Sequence, residues 1–314
     1  MANGRARDGA GQHRSGEHSL DSLEPDSYVC QVTLVTADGS ILTVNESSHS
    51  DLFWAIRGSG CNFGCVTEFV YKLHPQRSHV FAGPLIFPPP LLPAVITATQ
   101  EWYATASEKE GALLIMSNKG PTGGPTIGVL VFYNGDEKEG RQRFAKLISL
   151  GPVMNGTGMI PYEALNTLQN DAIPYGANYY FNGTERGEKP VTEQAAQNMF
   201  SRLMGITSAA GPCSSISPPA ITLLWEFFPL TKVCSVAPDA TAFRMRAARP
   251  SVPMVISWEG DGVEASKDAK GRLRQAKQMM EEELRHTFPR GREENDTGYG
   301  NYGTCLFPIL EIRY

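Results

Sequence analysis

A glycine-rich bend decides how this sequence is interpreted: Gly58-Ser59-Gly60-Cys61-Asn62-Phe63-Gly64-Cys65-Val66-Thr67. Glycine adopts positive φ angles at little cost, so the backbone turns tightly there and lets another group approach closely. Successive backbone N–H groups in such a bend form a concave surface that suits an anion. Taken alone, the bend therefore fits two interpretations, a plain turn or a ligand-binding loop.

The bend lies between a predicted β-hairpin and a predicted strand. The β-branched run from Val29 to Val35 stops near Asp38-Gly39, a dipeptide that favours hairpin turns, and a return strand follows at Ile41 to Val44. Ser50 is predicted to cap a short helix. After the bend, a strand is predicted over Glu68 to Leu73. The bend should thus connect a helix to a strand.

The rest of the chain alternates between short strands and amphipathic helices. Strands are predicted at 80–87, 112–117, 126–133, 220–228 and 254–259, and helices at 91–106, 137–150, 193–204 and 266–287. Strands laid down as neighbours, with helices after them, favour a mostly antiparallel sheet covered by helices on one face. The predicted fold class is therefore α+β.

Composition and charge exclude several classes of function. The hydrophobic fraction is 41% and the charged fraction 19%, which suffices for a sizeable core. The net charge is −5 without any basic cluster, so neither nucleic acid nor a membrane is an expected partner. The six cysteines include no Cys-x-x-Cys pair and have no histidine cluster beside them, so no metal site is expected.

Two features of the sequence point to different cellular locations. The N-terminus carries charges where a signal peptide would be apolar, which predicts a cytoplasmic protein for the chain as written. Four Asn-x-Ser/Thr sequons, at Asn45, Asn155, Asn182 and Asn295, would be glycan acceptors in a secreted form. Both locations stay open.

Three motifs around the bend resemble the end of the flavin domain in FAD-linked oxidases of the berberine-bridge-enzyme-like family. They are Leu34-Val35-Thr36-Ala37-Asp38-Gly39, then Asp51-Leu52-Phe53-Trp54-Ala55-Ile56-Arg57-Gly58, then Asn62-Phe63-Gly64-Cys65-Val66-Thr67 with Leu73-His74-Pro75 after it. Their order and short spacing match the family. The resemblance implies that FAD is the cofactor, bound by a PCMH-type domain. It assigns as cofactor-binding residues Gly58, Gly60, Asn62, Phe63, Gly64, Cys65, Val66 and Thr67.

Later segments resemble the substrate domain of the same family. The matches include Gly128-Val129-Leu130-Val131-Phe132-Tyr133, the Phe243-x-x-Arg246 step and Tyr299-Gly300-Asn301-Tyr302. The domains predicted on this basis are a partial FAD-binding domain over 28–77, a substrate-binding domain over 78–290 and a C-terminal segment over 291–314 that returns to the flavin domain. Residues 1–27 hold almost no large apolar side chain and are predicted to be disordered.

The chemistry that the resemblance implies is proton abstraction from a small organic substrate together with hydride transfer to flavin, with O2 as acceptor. Glu226 is the candidate base, because its aromatic-flanked apolar strand would raise the pKa of a carboxyl group. Alternatively, strand alternation turns Glu226 outward to solvent. Tyr302 is a second candidate. Arg246 either steadies an anionic substrate or flavin, or pairs with a surface acid.

The sequence departs from the family upstream of the hairpin. Arg14-Ser15-Gly16-Glu17-His18-Ser19 resembles the flavin-linking stretch of the family, which makes His18 a candidate cofactor ligand. Few residues separate His18 from Tyr28, so the family's pyrophosphate loop does not fit between them, and a histidine in a mobile tail is the alternative. We therefore expect weak, non-covalent FAD binding. Two functions follow: an FAD-dependent oxidoreductase, or a non-catalytic remnant of one that holds no flavin.

Overall fold

The computed structural model describes residues 28–288, apart from 61, 121–122, 171–175, 186, 188, 213–216, 244–245, 247–249 and 261. The two terminal segments, 1–27 and 289–314, lie outside the described residues. The predictions for His18, Tyr302 and the sequon at Asn295 therefore fall outside them as well.

A small antiparallel sheet carries the bend. Its strands are β1 (Val29–Val35), β2 (Ile41–Asn45) and β3 (Cys65–Tyr71), in the order β2-β1-β3. The predicted hairpin between β1 and β2 is confirmed, with Gly39 at φ 86° in its turn. A separate small core lies beneath this sheet. It consists of the strand residues Val32, Leu34 and Val44 and of Phe53 from the helix that follows.

Helix α1 (Ser50–Ile56) leads from this hairpin into the bend. The prediction that Ser50 caps it was wrong, because the helix already includes Ser50. The N-cap position is taken by His49 in a left-handed conformation, with φ 54° and ψ 50°, and its side chain makes no capping hydrogen bond. The backbone N–H of Phe53 donates to the carbonyl of His49 and begins the helical pattern.

A second, larger sheet holds the remaining strands of the described residues. They are β4 (His79–Phe87), β5 (Glu110–Ser117), β6 (Thr126–Tyr133), β7 (Met154–Asn155), β8 (Gly158–Pro161), β9 (Asn178–Glu185), β10 (Ala220–Phe227) and β11 (Ser251–Trp258). All of these pairings are antiparallel, in the order β7-β4-β6-β5-β10-β11-β9, and β8 also pairs with β4. The α+β prediction with a mostly antiparallel sheet is confirmed.

Helices cover one face of the large sheet. The helices of the described residues after α1 are α2 (Leu92–Tyr103), α3 (Glu137–Arg143), α4 (Ala145–Ser149), α5 (Glu193–Ser208), α6 (Thr231–Ser235) and α7 (Val263–Leu284). Buried residues of α2, α5 and α7 share one apolar core with β4, β5, β6, β10 and β11. The single helix predicted over 137–150 is instead two helices, because Phe144 leaves the helical conformation at φ −99° and ψ 13°.

Strand β9 was not predicted from the sequence. Its segment contains Asn178, Asn182 and Gly183, residue types that favour turns. Pairing along all of β11 nevertheless holds it extended. The predicted strand over 254–259 starts three residues after the observed one, because Pro253 lies inside β11 and proline is unfavourable within strands. Pairing of β11 with β10 stops at Met254, so the missing N–H of Pro253 breaks no ladder on that side.

The sequons differ in their accessibility. Asn155 is exposed at the end of β7, and its Oδ1 accepts a hydrogen bond from the Thr157 hydroxyl at 2.7 Å. Asn182 is 1% exposed within β9 and could not carry a glycan in this fold. Among the described residues, no helix has the length and apolar character needed to cross a membrane.

Candidate functional site

The centre of the glycine-rich bend faces open space. Gly60 has φ 74°, and a methyl group placed on it would meet no atom within 4 Å. Beside it, Asn62 and Phe63 are exposed, and the Asn62 side-chain amide donates to the carbonyl of Ser59 at 2.9 Å. The bend is thus held by its own contacts and leaves room for a ligand to approach its backbone.

Gly58 and Gly64 serve a different purpose from Gly60. A methyl group on Gly58 would lie 2.3 Å from the backbone nitrogen of Phe243, and one on Gly64 would lie 2.4 Å from the carbonyl oxygen of Val35. Both positions also have positive φ, at 124° and 142°. They are glycines because the protein's own backbone passes there. Contact of either one with a cofactor remains a prediction.

The residues that follow the bend start β3. Cys65 and Val66 are half-buried, and Val66 packs against the small core beneath the sheet. Thr67 is exposed at a register shift, where its hydroxyl donates to the carbonyl of Thr33 at 3.3 Å. These contacts fix the point at which the bend joins the sheet, and they leave the cofactor assignments of all three residues as predictions.

A distant segment, residues 239–243, holds the bend in place; we call it the anchor segment. The Trp54 indole N–H donates to the carbonyl of Asp239 at 2.7 Å, and the N–H of Ala242 donates to the carbonyl of Trp54 at 3.2 Å. The N–H of Phe243 donates to the carbonyl of Arg57 at 3.1 Å. Sequence reasoning missed this arrangement, although Phe243 belonged to a motif that it singled out.

Arg246 supports the anchor segment from inside the protein. Its side chain is 7% exposed, and one guanidinium N–H donates to the Thr241 hydroxyl at 2.9 Å. The guanidinium also lies over the Phe243 ring, 4.9 Å from its centroid. These contacts place the Arg246 side chain against the anchor segment. Direct contact of Arg246 with substrate or flavin remains a prediction.

Glu226 lies on the face of the large sheet opposite helices α2, α5 and α7, which we call the open face. A 3-10 helix (Tyr162–Thr167) covers the part of this face on β4 and β6 that packs against Leu165. Its strand neighbours Trp225 and Phe227 are 0% exposed on the opposite, helix-covered face. The strand alternation therefore turns Glu226 away from the aromatic side chains, as the second interpretation expected. Glu226 is half-buried and not fully exposed, and its neighbour across the sheet on β5 is Leu113.

Half-buried side chains make the open face unlike the covered one. Those around Glu226 are Pro84, Ile115, Leu130, Phe181, Thr222, Leu224, Val255 and Ser257. The anchor segment belongs to the connection between β10 and β11, two neighbouring strands of the large sheet. The bend is therefore tied to the same part of the chain that presents Glu226.

The described residues hold no group of three or more His, Cys, Asp or Glu side chains that could bind a metal ion.

Tyr179 on the open side of β9 is 7% exposed, and burial raises the pKa of its phenol. Tyr180 on the opposite side packs against the large core.

Sequence comparisons connect the chain with flavin-linked enzymes. No protein-family model matches it. An FAD-linked oxidoreductase of Dictyostelium discoideum is 36% identical over 152 residues, which is 48% of this chain and 32% of that protein. The FAD-linked oxidoreductase pgmH of Aspergillus terreus is 29% identical over 256 residues, covering 80% of this chain and 50% of that protein.

Solved structures show the same fold. The 6-hydroxy-D-nicotine oxidase of Arthrobacter nicotinovorans superposes with a TM-score of 0.65 at 19% identity, covering 82% of this chain and 55% of that one. The berberine bridge enzyme of Eschscholzia californica superposes with a TM-score of 0.64 at 16% identity, covering 89% of this chain and 57% of that one. The chain spans about half the length of the curated relatives that match most of it.

Proposed function

We propose that this chain, which is related to the FAD-linked oxidoreductases of the berberine-bridge-enzyme-like family, binds FAD at its glycine-rich bend and takes part in oxidising a small organic molecule. The proposal combines two described features of the chain. One is the open space beside Gly60, and the other is a half-buried carboxylic side chain, that of Glu226, on the open face of the large sheet.

The open space beside Gly60 carries the proposal. A dinucleotide needs backbone that it can approach closely, and Gly60 supplies such a position next to the exposed Asn62 and Phe63. These residues fit one edge of an FAD molecule. Cys65, Val66 and Thr67 would continue the contact along the start of β3.

In the proposed reaction, Glu226 accepts a proton from the substrate. Glu226 is half-buried, and its neighbours on the same sheet face include Leu224 on its own strand and Leu113 on β5, whose apolar side chains would exclude part of the surrounding water. Arg246 keeps the anchor segment, and with it the bend, in position. Bound FAD supplies the two-electron acceptor, and O2 is the proposed final acceptor.

One observation favours a second function, a non-catalytic chain that holds no flavin. Among the described residues, strand β3 is an edge strand whose apolar residues are exposed, with Phe69 at 40% and Tyr71 at 46%. Exposed apolar side chains on a free strand edge are typical of a surface that another polypeptide covers. If that surface must be covered for FAD to bind, the chain alone would bind substrate without oxidising it.

The two functions are distinguished by anaerobic mixing of the protein with excess FAD and 2-naphthalenemethanol, an oxidisable aromatic alcohol. The oxidoreductase loses the visible absorbance of its flavin, and Glu226→Gln slows that loss by about 10²- to 10⁴-fold, the usual range for a lost general base. Glu259→Gln, at an exposed glutamate after β11, serves as the control and should match the wild type. Absence of both FAD binding and bleaching would support the non-catalytic function.

A further inference from the structure

Strand β3 forms one edge of the small sheet, and among the described residues it pairs with β1 alone. The N–H of Lys72, just after the strand, donates to the carbonyl of Tyr28 on the β1 side at 2.7 Å. Backbone groups alternate between the two sides of a strand, so those of Phe69 and Tyr71 point to the outer side. Their N–H and carbonyl groups are available to a further strand.

The side chains of β3 are exposed on both faces of the small sheet. Phe69 and Tyr71 lie on one face with their ring centroids 5.7 Å apart, and they are 40% and 46% exposed. Glu68, Val70 and Lys72 alternate with them and are exposed on the other face. An exposed strand edge that carries large apolar side chains is a surface on which a further strand pairs.

The order of residues along β3 is complementary to itself. In an antiparallel pair of two β3 strands related by a two-fold axis at Val70, each Glu68 lies opposite Lys72 of the second copy. Each Phe69 lies opposite Tyr71 of the second copy in the same arrangement. Opposite charges and paired aromatic rings are cross-strand contacts that stabilise a sheet. Both contacts occur twice, because the axis repeats them.

The neighbouring registers lack this match. An axis at Phe69 would place Glu68 opposite Val70, and an axis at Tyr71 would place Lys72 opposite Val70. Each of these leaves a charged side chain against an apolar one. The pattern of charges therefore selects the register centred on Val70, and it selects a second copy of the chain as the partner.

We propose that β3 pairs with β3 of a second copy of this chain around a two-fold axis at Val70, so that two three-stranded sheets form one continuous antiparallel sheet. The interface is isologous, because the same strand contributes from both copies. The backbone groups of Phe69 and Tyr71 then exchange hydrogen bonds across the axis, and the exposed rings leave water. The pairing requires neither flavin nor substrate.

Sedimentation velocity of the purified protein over a range of concentrations tests this dimer. A reducing agent is present throughout, because Cys30 and Cys234 are exposed and a disulfide-linked dimer would be mistaken for it. One pair of strands buries less than the roughly 1,200 Å² at which stable interfaces begin, so we expect a reversible dimer with a dissociation constant on the order of 10 μM.

Charge reversal tests the register. Lys72→Glu, at an exposed position, places two carboxylates opposite each other on both sides of the axis and should weaken the dimer by at least about tenfold. Lys138→Glu makes the same charge change at an exposed lysine of α3 and should stay within about twofold of the wild type. Adding Glu68→Lys to Lys72→Glu restores opposite charges across the axis. Most of the lost affinity should then return, even though the hydrogen bond from the Thr33 hydroxyl to Glu68 is lost.

Three results would overturn the proposed dimer. The first is a single monomeric species up to about 100 μM, which would leave the edge of β3 to a different polypeptide or to another part of the chain. The second is an equal loss of affinity in Lys72→Glu and Lys138→Glu. The third is a double variant that dimerises no more tightly than Lys72→Glu.

Discussion

At the scale of single residues, the three glycines of the bend separate into two roles. Gly58 and Gly64 are required by the backbone of Phe243 and Val35, which pass within 2.4 Å of where a side chain would begin. Gly60 has no such neighbour. The sequence alone could not separate these roles, because the partner segment of helix α1 lies 185 residues away, as the Trp54–Asp239 hydrogen bond shows.

This difference predicts the effect of alanine substitutions. Gly58→Ala should lower the free energy of unfolding by about 2–4 kcal/mol, because the new methyl group overlaps Phe243 in addition to straining a positive φ. Gly39→Ala, also at positive φ but in open space, should cost about 1 kcal/mol. Urea denaturation measures both, and equal losses would show that Phe243 does not require the glycine.

For Glu226, the sequence predicts the direction of the side chain but not its burial. Strand alternation predicted correctly that its side chain would oppose those of Trp225 and Phe227. That alternation does not say what covers either face. The half-buried state of Glu226 depends on the folded sheet, where it pairs with Leu113 of a strand distant in sequence.

At the scale of elements, the end of helix α5 depends on a side chain from helix α7. Arg272 is 4% exposed and donates to the carbonyls of Ile206 at 2.6 Å and Ala209 at 2.8 Å, and to Asp268 at 3.1 Å. The last carbonyls of a helix have no partners within it, so an arginine that reaches them stabilises the helix end. The two helices are thus joined by hydrogen bonds as well as by apolar packing.

Replacing this arginine tests the connection. Arg272→Met keeps an apolar stem of similar length but removes the N–H groups that Arg272 donates to the two carbonyls and to Asp268, so the free energy of unfolding should fall by about 2–4 kcal/mol. Arg274→Met, on the exposed side of the same helix, should change it by less than about 0.5 kcal/mol. Thermal and urea unfolding provide the measurement, and similar losses in both variants would contradict the proposed role.

Long elements with a strong apolar period were predictable from sequence, and irregular ones were not. Strands β6 and β10 match the predicted bounds to within one residue, because their apolar residues repeat at the period of a strand, whereas helix α7 starts and ends three residues earlier than predicted. Strand β9 escaped prediction because Asn182 and Gly183 favour turns, while its extended form comes from pairing with β11. Thr192 caps α5, since its hydroxyl accepts from the N–H of Ala195 at 3.1 Å.

At the scale of the whole molecule, the described residues present two surfaces that carry apolar side chains. One is the open face of the large sheet around Glu226, and the other is β3 with Phe69, Tyr71 and the following Leu73, which is 89% exposed. The bend that carries Gly60 leads directly into β3. Because one side of the bend is open, we expect FAD bound there to be held non-covalently and weakly.

Titration of the purified protein with FAD, followed by the change in flavin fluorescence, tests the central claim most directly. Saturable binding is expected, weakened about tenfold by Gly60→Ala, because a methyl group there occupies the space through which a ligand approaches the backbone. Gly39→Ala carries a similar positive-φ strain in the hairpin turn and should bind FAD within about twofold of the wild type. No saturable binding, or equal losses in both variants, would contradict the assignment of the bend as the cofactor site.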